Sequence, residues 1–269
     1  MTQTSSSNRI PLFIALIGAI ILLVVGAYLF ANNRGPSAPP TELASGAADK
    51  AVAAAGMTPE QRTATETLVR AYILANPEII TEAIAELQKR DAAKRLTSAG
   101  NRLTTPFPGA EFGNPKGDVT VVEFTDYNCG YCRSSVADVQ KLIDNDANIR
   151  VVIRELPILS QTSRDAALWA LAAAKQGKHK AFHDALFSGA RPDAQSIRAA
   201  AAKAGMDLAA AEKFAASSTA NAEVESNIAM MQQIGFGGTP TFIIGDQILE
   251  GALGYEALKS AVNKARRQS

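Results

Sequence analysis

The chain has 269 residues, 27 Lys+Arg against 26 Asp+Glu, and only two cysteines. Such a charge balance gives no basis for binding nucleic acid or an anionic surface through bulk electrostatics. Two cysteines cannot build a disulfide framework, so they point instead to redox work or a metal site. The length exceeds one typical domain and leaves room for a catalytic domain with additions.

Residues 10–31 (IPLFIALIGAIILLVVGAYLFA) carry no charge, and their number matches a helix that crosses a bilayer core. A cleaved secretory signal has a shorter apolar run followed by a small-x-small site, and residues 27–31 offer no convincing one. An uncleaved transmembrane anchor over residues 1–34 is therefore expected. Arg9 and Arg34 flank the span and leave its orientation open. The chain's one dithiol, Cys129 with Cys132, needs an oxidising compartment to hold or donate a disulfide, which places the N-terminus in the cytoplasm and the bulk outside it. Residues 35–57 are rich in Ala, Pro, Gly and Ser and read as a flexible tether.

Thr58-Pro59-Glu60-Gln61 is a helix start, with Thr58 as cap, Pro59 at the first helical position and Gln61 where a capping box wants an amide. A second start comes at Asn76-Pro77-Glu78. The first helix offers Leu68, Val69, Tyr72 and Ile73, the second Ile79, Ile80, Ala83, Ile84 and Leu87, each set at three-to-four spacing. Two short helices cannot bury such faces alone. A polar stretch over residues 91–105 sets them apart from the rest of the chain, so residues 58–98 are expected to be an oligomerisation module rather than an intramolecular dock.

The organising stretch is residues 119–132, VTVVEFTDYNCGYC. Its β-branched and aromatic start has the composition of a buried strand and empties into Cys129-Gly130-Tyr131-Cys132, after which a helical pattern over about residues 131–145 begins. Free N–H groups and the positive end of a helix favour a thiolate there. Cys129 is the expected nucleophile and Cys132, one turn further in, the resolving thiol; such a pair supports thiol-disulfide exchange. A second strand over 149–153 ends in Arg154-Glu155-Leu156-Pro157. Ala-rich helices are expected over 163–176, 178–187, 193–203, 208–216 and 220–234, with Trp169, Leu171, Phe182, Leu186, Phe214, Ile228 and Met231 in their cores. A hairpin (241–244 and 248–250) and a helix over 255–267 close the chain. Gly238-Thr239-Pro240-Thr241-Phe242 puts a proline just before a strand, and a proline loop beside a dithiol leaves the preceding backbone free to pair with an incoming peptide.

FTDYNCGYC, a helical insertion, then GTPTF, a hairpin and a terminal helix closely resembles the DsbA family of periplasmic thiol-disulfide oxidoreductases, from about residue 106 to the C-terminus. The resemblance implies an α/β thioredoxin fold with an inserted helical domain at about 160–235, here preceded by a transmembrane helix and a small helical segment. It implies Cys129 as nucleophile, Cys132 as resolving thiol, Thr239-Pro240 as a cis-proline loop facing them, and Glu123 as the buried acid that helps move protons at the inner cysteine. Gly130 and Tyr131 join Thr239 and Pro240 as substrate-binding positions. Physically, a carboxyl on a buried strand has a raised pKa and can exchange protons near neutrality; the competing reading pairs Glu123 with a base such as Arg154. Residues 58–91, with LANPEIITEAIAELQKRD, look like the N-terminal segment of the ScsC-type branch, named for suppression of copper sensitivity, whose members with that segment can form trimers and act as disulfide isomerases. The Gly-Tyr dipeptide and Thr239 also resemble the isomerase side.

The resemblance implies no cofactor and a periplasmic catalytic domain held at the bacterial inner membrane by the anchor. Its partners would be unfolded or misoxidised secreted proteins, a membrane redox partner protein and, through residues 58–98, further copies as a dimer or trimer. Two alternatives are a dithiol oxidase that donates disulfides and a Cu(I)-binding protein, since soft thiolates suit that ion. A Cys2His2 zinc site with His179 and His183 fits poorly, because the histidines lie too far along the chain from Cys132 for a zinc finger.

Overall fold

The computed structural model describes residues 50, 52 and 54–268. The expected anchor and, of the tether, residues 35–49, 51 and 53 lie outside the described residues, and no helix among the described ones is long and apolar enough to cross a membrane. The chain divides into a unit ending at Pro77 and a unit beginning at Glu78.

In the first unit, α1 (Pro59–Ala75) starts as expected. Gln61 N–H donates to Thr58 Oγ1 (3.3 Å) and Thr58 N–H donates to Gln61 Oε1 (2.8 Å), closing a capping box. None of its residues is buried, and Leu68, Val69, Tyr72 and Leu74 stand exposed.

The second unit opens with α2 (Glu78–Ala99) and the short α3 (Asn101–Thr104). The polar stretch over residues 91–105 does not set the helices apart from the rest of the chain: α2 runs into it as far as Ala99, α3 follows after Gly100, and Leu96, Ala99 and Leu103 are buried against the sheet. Leu96 and Ala99 lie three apart on α2 and Leu103 follows on α3, and the neighbouring Lys94, Arg95 and Arg102 disguise these apolar positions in the sequence. Ile80, Ile84 and Leu87, earlier on the same helix, remain exposed.

The sheet has five strands in the order β1 (Glu111–Gly113), β3 (Ile149–Glu155), β2 (Val119–Thr125), β4 (Thr241–Ile244) and β5 (Gln247–Glu250). Only the β2–β3 pair is parallel, joined by the crossover helix α4 (Gly130–Asn145). Strand β2 is central and covered on both faces, which is why it reads as a continuous apolar run rather than an alternating one. One face packs Val121, Val151, Ile153, Phe242 and Ile244 against Leu142 of α4 and Leu258 of α10 (Tyr255–Arg266). The other packs Val122, Phe124 and Val152 against Leu96, Met230 and Phe236. Each buried Val or Phe contributes about 1.5–3 kcal/mol, enough along β2 to carry one neutral carboxyl, Glu123, into the interior.

Between β3 and β4 stand five helices: α5 (Gln161–Lys175), α6 (His179–Ser188), α7 (Ala194–Lys203), α8 (Leu208–Ala215) and α9 (Ser218–Ile234). Ser160, Asp193, Asp207 and Ser217 cap four of them, each side chain accepting from an amide of the first turn. Their alanine faces pack closely around Phe182, Leu186 and Ile197, and the same core includes Cys129 and Cys132. Of the expected core residues, Leu171, Phe182 and Leu186 are fully buried, while Trp169, Phe214, Ile228 and Met231 are half-buried at the edges. Strand β3 runs two residues past the expected end at Ile153, because Arg154 and Glu155 both find internal partners.

Candidate active site

The first strand of the site, β2, delivers its chain into a turn held by Asp126. The carboxylate of Asp126 accepts from Asn128 N–H (2.8 Å) at one oxygen and from Ile158 and Leu159 N–H (3.0 and 3.1 Å) at the other. Asn128 reaches Ser160 Oγ at 3.1 Å, so the turn before the dithiol is tied twice to the segment after β3. Helix α4 then begins with Cys129 as its N-cap: the sulfur accepts from Cys132 N–H at 3.4 Å. A negative charge developing on that sulfur meets a backbone donor and the positive end of the helix dipole.

Both cysteines are free thiols in very different surroundings. Cys129 is 7% exposed, Cys132 0%. The Cys132 sulfur accepts from Asp126 N–H at 3.5 Å, and burial pushes its thiol well above the ordinary cysteine range, with hydrogen bonds from Asp126 and Thr239 opposing the shift. Gly130 is exposed, and the Tyr131 ring is 71% exposed beside the dithiol. Arg133, next in sequence, donates to the carbonyls of Phe187, Gly189 and Ala190 and so fastens α4 to the end of α6.

The proline loop arrives from β4, 110 residues beyond Cys129 in sequence. The Thr239-Pro240 peptide is cis, and the Cys129 thiol donates to the Thr239 carbonyl at 3.1 Å. Pro240 is buried, and its own carbonyl accepts from Gly251 N–H at 2.8 Å. Cys129, Cys132, Thr239 and Pro240 thus converge on one spot, with Gly130 and Tyr131 on its exposed side.

Glu123 lies inside, 2% exposed, opposite Ile153 on β3 and Phe242 on β4. Burial first, then the charge of Glu155, raise its carboxyl to about 8, while the Thr125 hydroxyl pulls the other way. Thr125 also interacts with Cys132, placing one hydroxyl beside both the inner thiol and the acid, though it closes a hydrogen bond of ordinary length with neither. The alternative pairing of Glu123 with Arg154 is absent. Arg154 is the next residue after Ile153 and faces the opposite side of the sheet, where it meets Glu223 (3.0 Å), Asn227 and the carbonyls of Arg102, Leu103 and Thr105.

Sequence reasoning passed over Asp126, Thr125 and Glu155. Asp126 stands three residues before Cys129, where a carboxylate can organise a turn. Glu155 follows Arg154 and precedes Leu156-Pro157, so unlike Glu123 it reads as the polar end of a strand. His179 and His183 are buried, and among the described residues no group of three ligating side chains is placed to hold a metal.

Comparison with known proteins agrees with this geometry. The family described as DSBA-like thioredoxin domain matches residues 120–263, and that described as Copper resistance protein ScsC N-terminal domain matches residues 61–94. A thioredoxin-like oxidoreductase from Silicibacter pomeroyi is 40% identical with a TM-score of 0.61, over 63% of this chain and 99% of that one. A linker-deletion mutant of Proteus mirabilis ScsC is 26% identical with a TM-score of 0.63, over 79% of this chain and 98% of that one. A curated relative, Na(+)/H(+) antiporter NhaA 1 of Salinispora arenicola, is 30% identical over 57% of this chain, but the match spans only 24% of the antiporter's length.

Proposed function

Because the chain belongs to the DSBA-like thioredoxin domain family, we propose that it is a thiol-disulfide oxidoreductase that reshuffles disulfides of secreted proteins through Cys129 and Cys132. The observation that carries this reading is the N-cap thiol of Cys129, which meets the Thr239 carbonyl at 3.1 Å and the backbone N–H of the buried Cys132 at 3.4 Å. The Cys129 thiolate attacks a client disulfide, forming the Cys129–client bond and expelling the client's other sulfur as thiolate. The client backbone pairs beside Thr239-Pro240, where the loop before β4 presents its edge. Gly130 leaves the approach to Cys129 open, and Tyr131 offers an apolar surface to the client. Resolution takes one of two routes. A client thiolate attacks and frees the client with a rearranged disulfide, or Cys132 attacks Cys129, gives its proton to the Glu123 carboxylate and releases the client as thiolate.

The proposed setting is the periplasmic side of an inner membrane, with residues 1–34 as a single-pass anchor and a membrane redox protein keeping Cys129 reduced. Isomerase work is favoured over disulfide donation because the exposed apolar residues of α1 and of the first half of α2 suit self-association, and several active sites on one assembly suit repeated attack on a single client. The deciding experiment is refolding of a scrambled multi-disulfide protein by the full chain and by a deletion of residues 58–91. Loss of reshuffling on deletion, with reduction of a small peptide disulfide intact, supports the reading. Equal reshuffling by both forms refutes the dependence on assembly. Cys132→Ser is expected to trap client mixed disulfides, and recovering none would count against Cys129 as the attacking thiol.

A further inference from the structure

A second internal carboxylate lies beside Glu123. Glu155 ends β3, is 1% exposed and stands directly opposite Thr125 in the parallel ladder, while Glu123 stands opposite Ile153. Residues two apart on a strand share a face, so Glu123, Thr125 and Glu155 project from the same side of the sheet, with Glu155 one diagonal step from Glu123.

Glu155 is held by a chain of donors. Its Oε1 accepts from His179 Nε2 at 3.0 Å and from the Tyr127 hydroxyl at 3.3 Å. The Tyr127 oxygen also lies 3.3 Å from His183 Nδ1. Burial, followed by the charges of His179 and Lys180, holds His183 well below the usual histidine range. A neutral His183 with its proton on Nδ1 donates to Tyr127 and leaves the tyrosine proton for Glu155. All donors then aim at one oxygen, which suits an ionised carboxylate, while Glu155 Oε2 and His179 Nδ1 stay without a hydrogen-bond partner. Burial raises the Glu155 carboxyl above its ordinary range, and the hydrogen bond and charge of His179 are the first to oppose it. The aromatic shelf of Phe112 packs both imidazoles from β1, its ring centroid 5.2 Å from each.

We propose that Glu155, locked by His179 and Tyr127, is a positioning residue that sets the charge of Glu123 and thereby the pH at which the inner cysteine can surrender its proton. The inference rests on the disulfide chemistry proposed above. In the step concerned, Cys132 Sγ bonds to Cys129 Sγ, the Cys129–client bond breaks, the client leaves as thiolate, and the Cys132 proton passes to the Glu123 carboxylate. The electrostatics agree with the geometry, since after burial the charge of Glu155 is the largest cause holding Glu123 at about 8. Other groups face Glu155 as well. Asp126 and Tyr127 act on it from the turn after β2 and His179 from α6; one step further out His183 and Asp184 act on Tyr127 and Lys180 acts on His183, while Thr125 interacts with both Glu123 and Cys132. Of the carboxylates among them, Glu155 is the one whose charge acts on Glu123 most strongly.

The test is a carboxyl carbon NMR titration of Glu123 in the full chain, wild type against Glu155→Gln, which needs no turnover. Removing the Glu155 charge is expected to lower the Glu123 midpoint by at least about one pH unit. The pH profile of client release from the Cys129 mixed disulfide should move down with it, and Glu155→Gln should shift that profile no further once Glu123 is Gln. An unchanged Glu123 midpoint overturns the proposal. Should Glu155→Gln not fold, His179→Asn gives the same sign, because a carboxylate stripped of its buried counter-charge takes a proton. In wild type itself a Glu155 signal that is protonated at pH 7 also overturns the proposal. A wild-type protein that exchanges no disulfides defeats the functional reading instead, and the NMR titration tells the two failures apart.

Discussion

In the sheet, carboxyls stand where apolar side chains belong: Glu123 and Glu155 are buried among Val, Ile and Phe. In α1 the misplacement is reversed, with Leu68, Val69, Tyr72 and Leu74 facing outward. Each arrangement costs free energy in the isolated chain, one through desolvated charge and the other through wetted apolar surface. The costs are met differently. A buried acid is stabilised from within, by neutralisation or by donors such as His179, whereas an exposed apolar face is relieved only from without, by another surface. The comparison therefore separates chemistry, which works with one chain, from assembly, which needs more than one.

The largest expected effect tests the chemical side alone. Cys129→Ser should lower reduction of a fluorescent peptide disulfide by at least about a thousandfold, since a hydroxyl is neither ionised nor nucleophilic towards sulfur. Sedimentation of the same variant should match wild type. Next comes the assembly side: Leu68→Glu with Tyr72→Glu should reduce the sedimenting mass and abolish reshuffling of a scrambled protein. Peptide reduction should stay within about twofold of wild type, as surface changes away from the site rarely disturb the fold. A variant that loses peptide reduction too would erase the distinction between the two regions.

Glu123→Gln sits third. Stopped-flow release of a client from the Cys129 mixed disulfide should slow by about 10- to 100-fold near neutrality, with its pH dependence flattened. Stability should move the opposite way. The carboxyl titrates at about 8 in the folded chain against 4.5 in the open one, so its contribution is full below pH 4.5 and lost as pH rises through 8. Wild type should lose on the order of 4 kcal/mol across that window, and Glu123→Gln should keep it, as urea titrations at several pH values would read. The smallest effect is reserved for Thr125→Val, which removes the hydroxyl between Glu123 and Cys132 without changing shape: a several-fold slowing of release, restored by Thr125→Ser. Release unchanged by the valine would take Thr125 out of the proton step.

Much of this was legible in the sequence, for reasons that differ by residue. Cys129 and Cys132 are the only sulfhydryls and stand where a strand run gives way to helical spacing. Pro240 is conspicuous because proline seldom precedes a strand that must pair on both sides. Glu123 stands out as a carboxyl inside an uninterrupted β-branched run. The burial of Leu96, Ala99 and Leu103 was hidden, because Lys94, Arg95 and Arg102 beside them make residues 91–105 read as polar. Glu155 was hidden for a subtler reason. A charged pair just before Leu156-Pro157 looks like a strand end, and nothing local reveals that His179, 24 residues on, folds back to hold Glu155 inside. Such partners are set by tertiary packing, which sequence periodicity does not carry.

The sealing of Cys132 has a consequence for how the protein meets small thiols. With none of its sulfur reachable from solvent, glutathione and alkylating reagents collide with a single address, and a stalled covalent complex cannot be rescued by outsiders attacking the inner atom. Beside attack by a thiol on the Cys129–client bond, escape is open through a neighbour one helical turn away, whose local concentration stays fixed however dilute the surroundings become. An upper limit on the time a client remains attached is thereby written into the protein, whatever the redox buffer around it.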